Sequence, residues 1–355
     1  MKRFLRKELI FSVVILLIGL VLLELAARWL VARNVPEPAV PPAIGQFDSR
    51  LGWGLKPGAC ATSRATGEPV TYCINAQGLR GPERPYAKPA GTFRIILLGD
   101  SRTFGFGVPL EDHFSTLLEG YFDRVEVINL GVSGYGVDQE LLFLQYEGFR
   151  YQPDLVIAYV AHYANERHLH TERFGKQKPR FVLTDGKLVL TNSPVPAEAA
   201  PGPSSFPRQV HRWLADRSVA YRTLTTGILA AARGGSGGAT SSQAEMSEQS
   251  AAGQRELYEL GAAIVFAMND AAAQNGAKFV LVSQVPELTE TAKQRPILTL
   301  DATAALANWK FDLPNDLGHI NAAGNGALAW EIARFLGDKG LIPAAHIPQG
   351  FVQKP

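Results

Sequence analysis

The stretch Phe93-Arg94-Ile95-Ile96-Leu97-Leu98-Gly99-Asp100-Ser101 decides the fold. Apart from Arg94 it is one apolar run closed by a turn triplet, the pattern of a strand buried on both faces of a parallel sheet. The pattern recurs at 125–131 (VEVINLG), 154–161 (DLVIAYVA) and 278–285 (KFVLVSQV). Helical patterns fall between these runs, at about 112–122, 137–148 and 254–274, and a last one covers 322–336. Within 254–274 Leu257, Leu260, Ile264 and Met268 recur at 3-4 spacing, and Asn275-Gly276 supplies a stop. Apolar strands alternating with helices predict an α/β fold built on a parallel sheet.

Ser101 closes the first of these strands, and open α/β sheets place ligands at the carboxyl ends of their strands. A helix following it would aim backbone amides at the same point. Gly, Asp and Ser are also ordinary turn formers, so the triplet alone decides nothing. A serine hydroxyl becomes a nucleophile only when a base removes its proton, and a carboxylate that orients the base completes the set. Asn315-Asp316-Leu317-Gly318-His319-Ile320-Asn321 supplies both groups just before the last helix. Their spacing lets the Asp316 carboxylate fold back onto Nδ1 of His319 within a turn, leaving Nε2 to face Ser101. A tetrahedral intermediate also needs an oxyanion hole, each donor of which contributes about 3 kcal/mol. The candidates are the Ser101 N–H, Gly131 in the loop after the second strand, and the Asn165 side-chain amide in His162-Tyr163-Ala164-Asn165-Glu166.

A GDS triplet before a helix, a glycine after the second strand, an asparagine after the third and a late D-x-x-H resemble the four blocks of the SGNH/GDSL hydrolases, in order and in spacing. The likeness runs from about Phe93 to Leu336, apart from an insertion. The preceding Ile74-Asn75-Ala76-Gln77-Gly78-Leu79-Arg80-Gly81 resembles a lead-in of membrane-anchored bacterial members. The resemblance implies a three-layer α/β/α sandwich with a central parallel sheet of flavodoxin-like type, and ester hydrolysis or acyl transfer. It assigns Ser101 as nucleophile, His319 as base, Asp316 as its orienting acid, and Gly131 and Asn165 as oxyanion donors. Two positions depart from the family pattern. The third block reads Tyr163-Ala164-Asn165-Glu166 where the family has Gly-x-Asn-Asp, and Arg102 stands where an apolar residue is common. Arg102 either recognises an anionic substrate or pairs with a nearby carboxylate, and it stays outside the catalytic set.

Ahead of this domain, Lys2, Arg3, Arg6 and Lys7 precede an apolar run from Leu9 to Leu23 that continues as LELAARWLVA. Crossing the hydrocarbon core takes about 20 such residues. Glu24 and Arg28 lie four apart near the far end, where they can pair or snorkel. The expectation is a transmembrane signal anchor over residues 1–33 with its N-terminus in the cytoplasm. A cleaved signal peptide is the competing reading, with Leu25-Ala26-Ala27 as its small-residue site. Either way the remainder lies on the periplasmic or extracellular side of the cytoplasmic membrane. Residues 34–91 read as a proline-rich spacer and lead-in, the part to residue 58 being stiff and extended. They hold the chain's two cysteines, Cys60 and Cys73. A disulfide there would restrict the unfolded chain by about 3 kcal/mol; the alternative is two free thiols. The domain itself spans 92–340 with an insertion at about 167–253, and 341–355 form a C-terminal tail. The insertion opens with RFVLTDGKLVLT, a hairpin turning at Asp185-Gly186. An amphipathic helix is expected around 208–233, then a low-complexity mobile loop over 234–253.

Composition excludes some classes and leaves others open. A net charge of +2 gives no field to attract nucleic acid. No G-x-G-x-x-G, P-loop or G-x-S-x-G is present, so no cofactor is expected. His162, His168 and His170 crowd together, but no cysteine or carboxylate spacing completes a metal site. His113 is expected to start the first helix. The expected partners are an acylated glycan or small ester, the lipid bilayer and a membrane-bound O-acyltransferase. Three functions follow: an esterase removing an acyl group, most simply acetyl, from an envelope or secreted glycan; an acyltransferase using the same triad to acylate a polysaccharide; and a catalytically inactive scaffold of such a system.

Overall fold

In the computed structural model, which describes residues 11–12, 14–15, 18–26, 42–161, 166–197, 218, 221, 243–313 and 316–351, strand β1 is Phe93–Gly99 and every residue in it is buried. Its side chains alternate, Ile96 and Leu98 entering one apolar cluster and Ile95 and Leu97 another. A period of two demands this when both faces are covered. Val125–Asn129 (β2), Leu155–Val160 (β3) and Lys278–Ser283 (β4) behave alike. A fifth strand, Leu298–Asp301 (β5), was not expected, because four residues are too few to display a period. All neighbours pair in parallel, in the order β2-β1-β3-β4-β5. In this doubly wound order the winding reverses between β1 and β3, which opens a crevice at their carboxyl ends.

Helices cover both faces of the sheet. On one side Leu141, Leu142 and Leu144 of α3 (Val137–Tyr146) and Leu260, Ile264 and Met268 of α4 (Gln243–Gln274) pack with Ile96 and Leu98. On the other, Phe114 and Leu118 of α2 (Phe114–Gly120) and Leu328, Ile332 and Leu336 of α6 (Ala322–Asp338) pack with Ile95 and Leu97. The three α6 side chains have no exposed surface. At about 2 kcal/mol for each fully buried aliphatic side chain, this stripe anchors the helix that follows the His319 segment. Two short helices complete the set, α1 (Ser101–Phe104) and α5 (Pro286–Ala292).

The structure corrects two expectations. Helix α4 begins at Gln243, so part of the run read as a mobile loop is helical. Its second half, Gln243-Ala-Glu-Met-Ser-Glu-Gln, consists largely of good helix formers, which the glycines and serines before it obscured. Residues from 42 onward are no extended spacer. The hairpin Gly45–Asp48 with Gly52–Leu55 buries Trp53 and Leu55, and the hairpin Cys60–Ser63 with Val70–Cys73 carries a disulfide between Cys60 and Cys73. The C-terminal tail is docked as well: Leu341, Ile342 and Phe351 join the cluster under α6, and His346 Nδ1 lies 2.7 Å from the Asp123 carbonyl.

Within the expected insertion, Arg180–Thr184 pairs with Lys187–Thr191 around Asp185 and Gly186, both at positive φ as a tight hairpin turn requires. The helix expected around 208–233 lies outside the described residues. The chain divides into two compact units, Glu37–Glu198 with Ser247–Pro355, and Met1–Pro36 with Ala199–Met246. In the second of these, residues 18–26 are helical, and Leu20, Val21, Leu22, Leu23 and Leu25 are exposed. Glu24 accepts a hydrogen bond from the Ser218 hydroxyl at 2.7 Å. Arg28, its expected partner, lies outside the described residues. Among the described residues no helix is long and apolar enough to cross a membrane.

Candidate active site

The turn after β1 delivers Ser101 as the first residue of α1, whose first amides have no intrahelical partner. Four residues are too few for a helix to hold itself, so its ends must be held by other groups. Asp100 caps the start: its Oδ1 accepts from the Arg102 N–H at 2.9 Å. Its Oδ2 accepts from the Arg167 guanidinium at 2.7 Å, both side chains being buried, and Arg167 also donates to the Tyr135 carbonyl at 2.9 Å. The segment from Arg167 is thereby tied to the turn that carries Ser101.

His319 meets Ser101. Its Nε2 lies 2.7 Å from Ser101 Oγ across 218 positions of sequence, within range for the serine hydroxyl to donate its proton. The Phe106 ring packs edge-on against the imidazole, with centroids 4.6 Å apart. The segment carrying the histidine, Asp316–Ile320, is a short strand rather than the expected turn. It pairs with Asp312–Leu313 through an irregular register, which sets the segment's course locally. The Asp316 side chain and all of Asn165 lie outside the described residues.

Gly131, the expected oxyanion donor, lies against α1. Its N–H donates to the Asn129 Oδ1 at 2.8 Å, so in this state the amide is engaged within its own loop. A Cβ at Gly131 would lie 2.3 Å from the Phe104 nitrogen and 2.3 Å from the Thr103 carbonyl carbon. The position is glycine because this loop presses directly on the backbone of α1.

Arg102 turns inward and is buried. Its Nε donates to the Gly318 carbonyl at 2.8 Å and its Nη1 to the Tyr159 hydroxyl at 3.0 Å and to Gln284 Oε1. Tyr159 in turn donates to Gln284 at 2.8 Å, and burial raises its pKa. His113 caps α2 as expected, yet it also serves the site: Nε2 lies 3.0 Å from the Arg102 carbonyl. Burial pushes its pKa down to about 3, so the ring is neutral and donates that proton. Glu140, fully buried near Asp100, is raised well above the ordinary carboxylate range by burial and by that neighbouring charge. Arg167 and Glu140 were not singled out from the sequence; Glu140 beside the apolar run Leu141–Leu144 was a weak signal, and Arg167 among polar neighbours left none.

Of the crowded histidines, His168 is buried with Nε2 2.9 Å from the Leu257 carbonyl, and burial pushes its pKa down to about 4. His162 lies outside the described residues. Among the described residues no group of three His, Cys, Asp or Glu side chains could hold a metal.

No family model matches the chain, and no curated protein is similar enough to be matched. Solved structures give weaker likenesses. A lipolytic protein of the G-D-S-L family from Desulfitobacterium hafniense DCB-2 is 14% identical over 69% of this chain and 100% of its own, at a TM-score of 0.37. TesA is 14% identical over 70% of this chain and 99% of its own, also at 0.37. A catalytic mutant of an acetylxylan esterase from Geobacillus stearothermophilus is 13% identical over 71% and 97%, at 0.35. Likenesses this faint carry no weight for activity, which has to be argued from the geometry of Ser101 and His319.

Proposed function

We propose that the chain is an extracytoplasmic serine esterase of the SGNH type that removes an acyl group, most simply acetyl, from a cell-envelope or secreted glycan. The observation that carries this reading is the 2.7 Å approach of His319 Nε2 to Ser101 Oγ at the carboxyl end of the strand where the sheet's winding reverses. His319 takes the hydroxyl proton as Ser101 attacks the ester carbonyl, then returns it to the departing sugar oxygen. Asp316 holds the imidazolium that forms between these steps. Water then attacks the acyl carbonyl, giving its proton to His319; the bond to Ser101 Oγ breaks, the carboxylic acid leaves and the serine oxygen takes the proton back. The Ser101 N–H faces the developing oxyanion. Gly131 joins it once Asn129 gives up the amide, and Asn165 is the third donor. An envelope glycan as substrate is favoured by the N-terminal apolar run and by the exposed Leu20, Val21, Leu22, Leu23 and Leu25, which suit an anchor at the membrane.

The test is an alkyl fluorophosphonate probe and acetylated oligosaccharides on the purified full chain, beside Ser101→Ala. Wild type is expected to label at Ser101 and release acetate, with turnover falling at least about a thousandfold in the variant. Failure to label, with equal turnover by both proteins, overturns the reading. Acetyl transfer to an added oligosaccharide in preference to water would reassign the enzyme as an acyltransferase.

A further inference from the structure

The proposed chemistry uses none of residues 42–91, yet the most deeply buried cation in that segment reaches straight to the nucleophile helix. Arg80 is 2% exposed. Its Nη1 donates to the Phe104 carbonyl at 3.0 Å and to that of Gly105, and its Nη2 donates to the Val108 carbonyl at 2.7 Å. These are the carbonyls at and just beyond the C-terminus of α1, the ones a helix leaves without intrahelical partners. The guanidinium also lies over the Tyr72 ring, 4.6 Å from its centroid. Tyr72 is 5.2 Å from Phe104, centroid to centroid, and its hydroxyl accepts from the Gly107 N–H at 2.9 Å. Tyr72 neighbours Cys73 in the disulfide-linked hairpin.

The loop that presents Arg80 is itself braced. Asn75 Oδ1 accepts from the Gln77 and Leu79 amides at 3.1 and 2.9 Å, and Asn75 Nδ2 donates to the Pro82 carbonyl at 3.1 Å. A rigid hairpin and a rigid loop therefore meet on the far end of a helix that carries the nucleophile at its near end. Gly105 gives the contact its room: at φ +85° it ends the helix, and a Cβ there would lie 2.5 Å from Arg80 Nη1. Burial lowers the Arg80 pKa to about 10, which leaves it charged at neutral pH.

We propose that Arg80, seconded by Tyr72, is a positioning residue that sets where Ser101 stands relative to His319, making the lead-in part of the catalytic apparatus. This rests on the reading of Ser101 as a hydrolase nucleophile. Three carbonyls spread over five residues are matched by the planar fork of a guanidinium and cannot all be met by one ammonium.

The test compares wild type, Arg80→Lys and Tyr72→Phe in the full chain, at a temperature well below each protein's melting point. Three quantities are read: the rate of fluorophosphonate labelling per folded molecule, kcat, and KM on an acetyl ester. Arg80→Lys is expected to lower labelling and kcat together by about 10- to 100-fold with KM within about threefold, the penalty of an ångström-scale misplacement. Tyr72→Phe keeps the ring and loses only the acceptor for Gly107, so it folds and is expected to show the same split at a few-fold. A merely structural role would lower the melting temperature and leave both rates per folded molecule unchanged. That result in Tyr72→Phe, and in Arg80→Lys where it folds, overturns the inference while the hydrolase reading stands. If wild type itself does not label, both fall together.

Discussion

Gly131→Ala separates packing from hydrogen-bond donation, because alanine keeps the backbone N–H and adds only a methyl group. In the structure that methyl would sit 2.3 Å from both the Phe104 nitrogen and the Thr103 carbonyl carbon, where ordinary contact begins at 3.4 Å. The loop and α1 must therefore part by about 1 Å, and neither atom belongs to a side chain that could swing away. Ser101 lies in the same four-residue helix, and its 2.7 Å contact with His319 would stretch to about 3.7 Å if the helix took up the displacement. Misplacement on that scale costs about 100-fold in rate, and overpacking costs about 1–3 kcal/mol in stability. Stopped-flow labelling with a fluorophosphonate, kcat on an acetyl ester and urea denaturation measure all three quantities. Turnover and labelling within twofold of wild type, at unchanged stability, would refute the argument that the glycine is there to let the loop press on the helix.

Removing the Arg167 guanidinium strands Asp100 without a counter-charge in the interior, so Arg167→Met should lose about 3–5 kcal/mol in urea denaturation; a loss under 1 kcal/mol would count against the pair. The double change Cys60→Ser with Cys73→Ser opens a loop of sequence separation 13 and should cost about 3 kcal/mol, measured the same way under oxidising conditions. His113 and His168 have folded pKa values lowered to about 3 and about 4 from 6.5, so between pH 4 and 6.5 the unfolded chain binds more protons than the folded one. Their contribution is whole above pH 6.5 and is lost as pH falls toward 4, at roughly 1 kcal/mol per pH unit for each ring; an unchanged acid slope after His113→Gln and His168→Gln would sink it.

The parallel core was legible because strands covered on both faces write themselves as unbroken apolar runs. Phe93–Gly99 and Leu155–Val160 needed almost no adjustment, whereas Leu298–Asp301 left no trace in so short a span. That Ser101 and His319 meet was legible because a serine at a strand end and a histidine in the loop before the last helix both fall at the sheet's carboxyl edge. The partners of the holding groups were not, even where the residue itself, as with Arg102 and His113, stood out. Arg80, Arg102, Arg167 and His113 act by donating to carbonyls or to a cap, and a carbonyl acceptor is the same at every residue, so nothing in the sequence advertises which one is met. Residues 42–58 misled for a related reason: prolines and glycines read as a spacer, while the burial of Ile44, Trp53 and Leu55 depends on a surface made elsewhere in the chain.

The bonds of Arg102 give a physical reason for an unusual residue beside Ser101. Two adjacent residues of the helix, Ser101 and Arg102, meet two adjacent residues of the strand, His319 and Gly318, through contacts of 2.7 and 2.8 Å. A hydroxyl–imidazole bond alone leaves the two backbones able to slide and rotate about one point; a second bond one residue along removes that freedom. The same guanidinium reaches Tyr159 on β3 and Gln284 just beyond β4, so the register of helix and strand is referred to the sheet itself. An apolar side chain at this position could fill the same space but could not carry a directional bond to the Gly318 carbonyl. The guanidinium thus fixes the register of the Ser101 helix against the His319 strand, which α1, at four residues, is too short to fix by itself.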